Sequence, residues 1–117
     1  MKVLVTGATG FLGSHTVRAL RRDGHDVRVM VRTPTKAMAL FERMGIDGCE
    51  IVTGDITDRP SVQAAVDGCD AVVHAAAVVA VDPTREAEMH ATNLAGAENV
   101  LGAAVDAGCD PVVHVST

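Results

Sequence analysis

Eight residues near the start of the chain have the composition and spacing of an anion cradle. Thr6-Gly7-Ala8-Thr9-Gly10-Phe11-Leu12-Gly13 spaces its glycines G-x-x-G-x-x-G. The segment follows a short β-branched run, 2–6, and opens a helical pattern, 11–23. In that setting Gly7 permits a tight turn after the strand. Gly10 offers bare backbone to a pyrophosphate, and Gly13 lets the helix approach the sheet. Free N–H groups at the helix start, aided by the helix dipole, then hold the anion. Thr9, Phe11 and Leu12 complete the expected phosphate site. A glycine triplet alone is a weak signal, but strand before and helix after are the context it requires. No Gly-Lys-Ser/Thr follows, which excludes a Walker loop.

Positioning such a loop takes a sheet and helices, and the chain alternates the two. Strands are expected at 2–6, 27–31, 50–53, 71–75 and 112–115, with helices over 11–23, 34–44, 61–67 and 83–107. In the first helix Leu12, Val17 and Leu20 are read as inward and Arg18, Arg21 and Arg22 as outward. Thr33 is the expected cap of the second helix, whose core stripe is Ala37, Leu40, Phe41 and Met44. Val62, Ala65 and Val66 share one face of the third. Ala87, Ala91, Leu94, Leu101 and Ala104 mark the expected buried face of the fourth. Continuous apolar strands separated by helices predict a parallel sheet covered on both faces. Right-handed crossovers and a reversal after the third strand give the order 3-2-1-4-5, a three-layer α/β Rossmann arrangement. Ligands then sit beyond the C-terminal ends of the first and fourth strands. The fifth strand, left as an edge, favours pairing with a second chain, so a homodimer is an expected partner.

Composition narrows the class. The chain has 117 residues, enough for one domain, with 48% hydrophobic and 21% charged residues. A net charge of −5 argues against nucleic acid, and no apolar run is long enough for a membrane helix. The N-terminus runs straight into a strand, without the shape of a signal peptide. Three cysteines, with no CxxC, exclude a disulfide framework or zinc site and fit reduced thiols in a cytoplasmic protein. No metal is expected. Each cysteine lies in a Gly-Cys-acid step: Gly48-Cys49-Glu50, Gly68-Cys69-Asp70 and Gly108-Cys109-Asp110. The repeat reads as a helix-to-strand turn, in which a left-handed glycine ends the helix and the next residues enter a strand.

The Thr6–Gly13 loop resembles the T-G-x-x-G-x-x-G of short-chain dehydrogenases/reductases. Its closest likeness is to the extended branch, the NAD(P)-dependent epimerase/dehydratase family with its dihydroflavonol-reductase-like relatives. Four further patches match in order: Gly54-Asp55-Ile56, Val73-His74-Ala75-Ala76-Ala77, Thr92-Asn93-Leu94-Ala95-Gly96 and Val113-His114-Val115-Ser116-Thr117. The resemblance implies that Asp55 accepts a hydrogen bond from the adenine amino group and that the Ile56 backbone serves the ring edge. The plainer reading is that Asp55 and Asp58 cap the next helix. Ala75, Ala76 and Ala77 match small residues whose backbone lines the cofactor, while His74 is read as packing. Asn93 matches an asparagine that organises the centre of the site, or else ties two backbones together. Thr117 matches the catalytic hydroxyl, with Ser116 its neighbour; a slip of one residue exchanges them. The family's Y-x-x-x-K is missing, since the chain has no tyrosine and its lysines are Lys2 and Lys36. The expectation is a nucleotide-binding portion truncated after the fifth strand and inactive by itself, from a parent acting on a carbonyl or hydroxyl substrate.

Cofactor choice is read at the end of the second strand. NAD-preferring domains carry an acid there for the ribose 2′-hydroxyl. This chain has Met30-Val31-Arg32-Thr33, and Arg32 with Lys36 suits a 2′-phosphate, so NADP is expected in preference to NAD. The alternative is an ordinary solvated arginine. Two other functions stay open at this point: a non-catalytic NADP-sensing or interaction module, and a bare structural unit that binds nothing.

Overall fold

A computed structural model describes residues 1–76 and 82–115. The elements are β1 (Lys2–Thr6), α1 (Phe11–Arg22), β2 (Asp26–Val31), α2 (Pro34–Met44), β3 (Glu50–Thr53), α3 (Arg59–Val66), β4 (Ala71–His74), a 3₁₀ turn (Pro83–Arg85), α4 (Glu86–Asp106) and β5 (Val112–His114). The five strands form one sheet in the order β3-β2-β1-β4-β5, and every neighbouring pair is parallel. This is the expected Rossmann topology.

Alternation along the strands divides the core between two faces. Val3, Val5, Val27, Val29 and Val31 pack with Ala37 and Phe41 of α2 and Val17 of α1. Leu4, Met30 and Val72 point the other way, against Val62, Ala65 and Val66 of α3 and Val100, Ala103 and Ala104 of α4. Both faces being covered is why β1 reads as an unbroken apolar run.

The α2 stripe is as expected: Ala37 and Phe41 are buried, and Leu40 and Met44 pack against that core. The Thr33 side chain makes no cap hydrogen bond. Helix α3 begins at Arg59, two residues before the expected 61, because Pro60 is compatible with a first helical turn. The Pro83–Arg85 turn precedes α4 rather than forming its first turn, with the Thr84 amide donating to Asp82 Oδ1 at 3.0 Å. Leu12 is a correction: it is 50% exposed, because the buried face of α1 runs through Gly13, Ser14 and Val17. On α4 the buried residues are Gly96, Val100, Ala103 and Ala104, whereas Ala87 and Ala91 are exposed, Leu101 is half-buried and Leu94 is 62% exposed.

Two of the three Gly-Cys-acid steps end a helix as expected, Gly68 and Gly108 directly following the C-caps of α3 and α4, but α2 already ends at Gly45, three residues before Gly48. Gly48, Gly68 and Gly108 all have φ between 74° and 80°, each just before a strand. Cys69 Sγ donates to the Ala65 carbonyl and Cys109 Sγ to the Cys69 carbonyl. Burial pushes all three thiols above their ordinary pKa. They are free thiols held in the protonated, unreactive form.

Candidate functional site: a cleft at the strand C-termini

The parallel register aligns the exits of the central strands. Thr6 pairs with Met30 on one side and with His74 on the other. Beyond these residues a cleft of about 550 Å³ opens. The β1–α1 loop (Gly7 to Gly10), the β2 exit (Arg32, Thr33), Lys36, the β3–α3 loop (Gly54 to Thr57), Ala75, Ala76 and Thr92 line it. Five separately read sequence patches therefore meet in one place.

The loop glycines serve different ends. Gly7 has φ +71°, and a Cβ on it would lie 2.5 Å from Ala75 C and Ala76 N. A Cβ on Gly13 would overlap the Gly7 carbonyl oxygen. The fold itself thus demands both. Gly10 is different: it has φ −77° and ψ 170°, and its Cβ would meet only Gly7 O at 3.4 Å, an ordinary contact. The loop is tied by Gly10 N–H to Gly7 O (3.1 Å) and Ser14 N–H to Gly10 O (2.9 Å). Helix α1 has no side-chain cap and no acidic residue in its first turn. Its leading amides and positive dipole end are therefore not neutralised by a cap or a nearby carboxylate. Thr9 is exposed in the loop. Phe11, 84% exposed, lies with its ring 4.5 Å from that of His15.

On the far wall Asp55 is organised by Thr57, whose amide and hydroxyl donate to Asp55 Oδ1 at 2.9 and 2.7 Å. The Thr57 amide, then its hydroxyl, then the charge of Arg32 hold the Asp55 carboxyl below its usual pKa. Asp58 stands at the N-cap position of α3, as the plainer reading supposed, and Asp55 does not. Asp58 makes no side-chain cap bond, and Asp55 forms its own turn. Ser61 holds the loop instead, accepting from the Asp55 amide and sharing its single proton between the Asp55 and Asp58 carbonyls. Arg32 and Lys36 are exposed at the cleft and form no ion pair among the described residues.

At the floor, Thr6 Oγ1 and His74 Nδ1 are 2.6 Å apart and both residues are buried. Burial, reinforced by the stacked His114 ring, pushes the His74 imidazole down to about 4, so it is neutral at ordinary pH. It fills a packing position, as expected from the sequence. Ala75 N–H continues the ladder to Thr6 O at 3.2 Å. Asn93 is half-buried on α4, next to Thr92 on the cleft wall. Ala77, Ser116 and Thr117 lie outside the described residues.

Sequence reasoning missed Thr57, Ser61 and Asn99. The Asp55-x-Thr57 spacing is the local signature of an aspartate-centred turn and was there to be read. Asn99, whose Nδ2 donates to the Ile56 carbonyl at 2.8 Å from 43 positions away, leaves no local signal. No group of three or more metal-type ligands occurs among the described residues, and no helix there is long and apolar enough to cross a membrane.

A phosphate loop at a helix start, facing an acid beyond β3 across the sheet's C-terminal edge, is the arrangement of a Rossmann dinucleotide-binding protein. The chain belongs to the NAD dependent epimerase/dehydratase family, whose profile matches residues 3–117. It is 37% identical over 117 residues to a 4-hydroxy-2-methyl-3-oxo-4-farnesyl-3,4-dihydroquinoline-1-oxide ketoreductase of Stigmatella aurantiaca, covering 100% of this chain and 34% of that protein. Among solved structures it is similar to a short-chain dehydrogenase/reductase superfamily protein from Agrobacterium tumefaciens with bound NAD. There the TM-score is 0.82 and the identity 32%, over 100% of this chain and 33% of the other. It is also similar to a UDP-glucose-4-epimerase from Stenotrophomonas maltophila with bound NAD. That match has a TM-score of 0.83 and 31% identity, over 100% of this chain and 37% of the other. The chain thus spans about a third of the length of the curated relatives it matches.

Proposed function

We propose that residues 1–117 are the dinucleotide-binding domain of an NAD(P)-dependent oxidoreductase, epimerase or dehydratase, and that the cleft takes NADP in preference to NAD. The observation that carries the reading is Gly10. It is a glycine the fold does not need, at an uncapped helix start, in the cleft that Arg32, Asp55, Ala75 and Ala76 also line. A Cβ there would meet only the Gly7 carbonyl oxygen, at 3.4 Å, on the lining of the cleft. These residues fit the dinucleotide as a set. The α1 amides receive the pyrophosphate, Asp55 and the Ile56 backbone take the adenine, and the small side chains of Ala75 and Ala76 leave room along the floor. When bound, the nicotinamide supplies hydride transfer to or from a carbonyl or hydroxyl substrate. Ser116 and Thr117 come two and three positions after the last residue of β5, and we assign the substrate-facing hydroxyl to Thr117 with Ser116 as its neighbour. The free cysteines support a reducing, cytoplasmic setting.

Cofactor preference follows from Arg32 and Lys36 at a β2 exit that carries no acid. A charge-assisted contact of this kind contributes roughly 1.5–3 kcal/mol, or about ten- to a hundredfold in affinity. Titration calorimetry is expected to show tighter NADPH than NADH binding, with Arg32→Asp reversing the order. Equal or tighter NADH binding by the unaltered protein would remove the assignment.

A further inference from the structure

The adenine wall of the cleft is not self-supporting. Its residues belong to the β3–α3 loop, which leaves the sheet at Gly54 and re-enters regular structure only at Arg59. Ser61 and Thr57 tie the loop from its own side. Gly54 N–H bonds the Val31 carbonyl at the loop's start (2.9 Å), and its middle is fastened from α4: Asn99 Nδ2 donates to the Ile56 carbonyl at 2.8 Å, in a partly buried bond. One turn earlier on the same helix Gly96 is buried, and a Cβ there would overlap Ile56 Cδ1. Helix α4 therefore meets Ile56 twice: a glycine admits its side chain and an amide holds its backbone.

We infer that Asn99 is a positioning residue for adenine recognition, fixing the Ile56–Thr57 peptide, whose N–H holds the Asp55 carboxylate, so that this carboxylate and the Ile56 amide present one fixed donor–acceptor pair to the ring. The inference rests on the dinucleotide reading of the cleft and adds to it the residue that sets the geometry of its adenine end. The chemistry is specific. The Ile56 carbonyl needs a donor, and an asparagine side chain supplies one at this reach. An aspartate of the same shape supplies only acceptors once ionised, and would repel that carbonyl. The loop would then swing away from α4 and carry Asp55 with it. The phosphate loop, which lies against the Ala75–Ala76 backbone at Gly7 and is bonded to α1 through Ser14, shares none of these bonds.

The test separates the two ends of the ligand. Affinities of the unaltered protein, Asn99→Asp and Asn99→Ala are measured for ADP and for inorganic pyrophosphate, well below each thermal midpoint. ADP binding is expected to weaken about tenfold or more in both variants, with pyrophosphate binding unchanged within about twofold. Unchanged ADP affinity overturns the inference, and so does an equal loss for both ligands, which would mean general loosening. A second measurement needs no variant. Hydrogen exchange at the amides of 55–57 in the unaltered protein should slow with ADP and not with pyrophosphate, and equal exchange in both would likewise overturn it. If the unaltered protein binds neither ADP nor NADPH, the dinucleotide reading itself falls and this inference with it. If NADPH binds and the variants discriminate nothing, only the role of Asn99 falls.

Discussion

The two ends of the sheet use glycine for opposite purposes. At the N-terminal edge, Gly24, Gly68 and Gly108 have φ of 74° to 85°, and a Cβ on any of them would touch nothing within 4 Å. Only the left-handed backbone calls for glycine there. At the C-terminal edge, Gly13, Gly54 and Gly96 have ordinary φ, but a Cβ would run into backbone or side chains. There, close approach calls for glycine. The charges divide likewise. At the N-terminal edge Glu50 pairs with Arg28 (2.8 Å) and Lys2 (3.2 Å), whereas Arg32 and Lys36 at the other edge stand without an ion pair among the described residues. One edge is closed on itself, and the other is built to be completed. Gly10 belongs to neither group of glycines, and that is the argument for a ligand beside it.

The contrast breaks hardest at Gly13. Gly13→Ala forces a methyl onto the Gly7 carbonyl, so α1 must move off the sheet. A loss of more than about 3 kcal/mol in urea-measured stability is expected. A loss below about 1 kcal/mol would mean that the loop is far more compliant than this packing implies.

His74 comes next. Burial, and then the neighbouring His114, pushes its imidazole from the ordinary 6.5 down to about 4 in the folded protein. The unfolded chain takes up a proton in that window that the folded protein refuses. Its contribution is therefore fully present above about 6.5 and is lost as pH falls toward 4, by up to about 3 kcal/mol. Urea midpoints between pH 7.5 and 4.5 should show this slope, and His74→Gln should flatten it. Identical slopes in the two proteins would contradict the assignment to His74.

Gly24→Ala should have the smallest effect of the three, about 1–2 kcal/mol, because only the left-handed backbone is strained and no neighbour is displaced. Nucleotide affinity should stay unchanged. A loss of affinity would show that the closed edge communicates with the cleft.

Much of this was legible in the chain. Strand order and the α2 stripe followed from pattern, because Ala37, Leu40, Phe41 and Met44 repeat at helical spacing, with Met38 the one large apolar residue of α2 off that stripe, and each β-branched run is short and bounded by turn residues. The face of α4 was not legible. Alanine, valine and leucine are distributed around the whole helix, so periodicity offers no preferred side. Contact with α3 and Ile56 selects Gly96, Val100, Ala103 and Ala104 instead. Leu12 was misplaced for a related reason, lying one position off the Gly13–Val17 line. In the cleft, residues read from local motifs such as Gly7, Gly10 and Asp55 converged. The Asn99 bond, which depends on two segments meeting in space, was visible only in the fold.

The central claim, that the space beside Gly10 is a pyrophosphate site, is tested most directly by NADPH titration of Gly10→Val, with Gly24→Ala as the matched control. A branched side chain at Gly10 meets little of the protein itself, so circular dichroism should be unchanged and stability should fall by about 1 kcal/mol or less. The account expects NADPH binding to be lost in Gly10→Val and retained in Gly24→Ala. A folded Gly10→Val protein that binds NADPH as tightly as the unaltered one would contradict it.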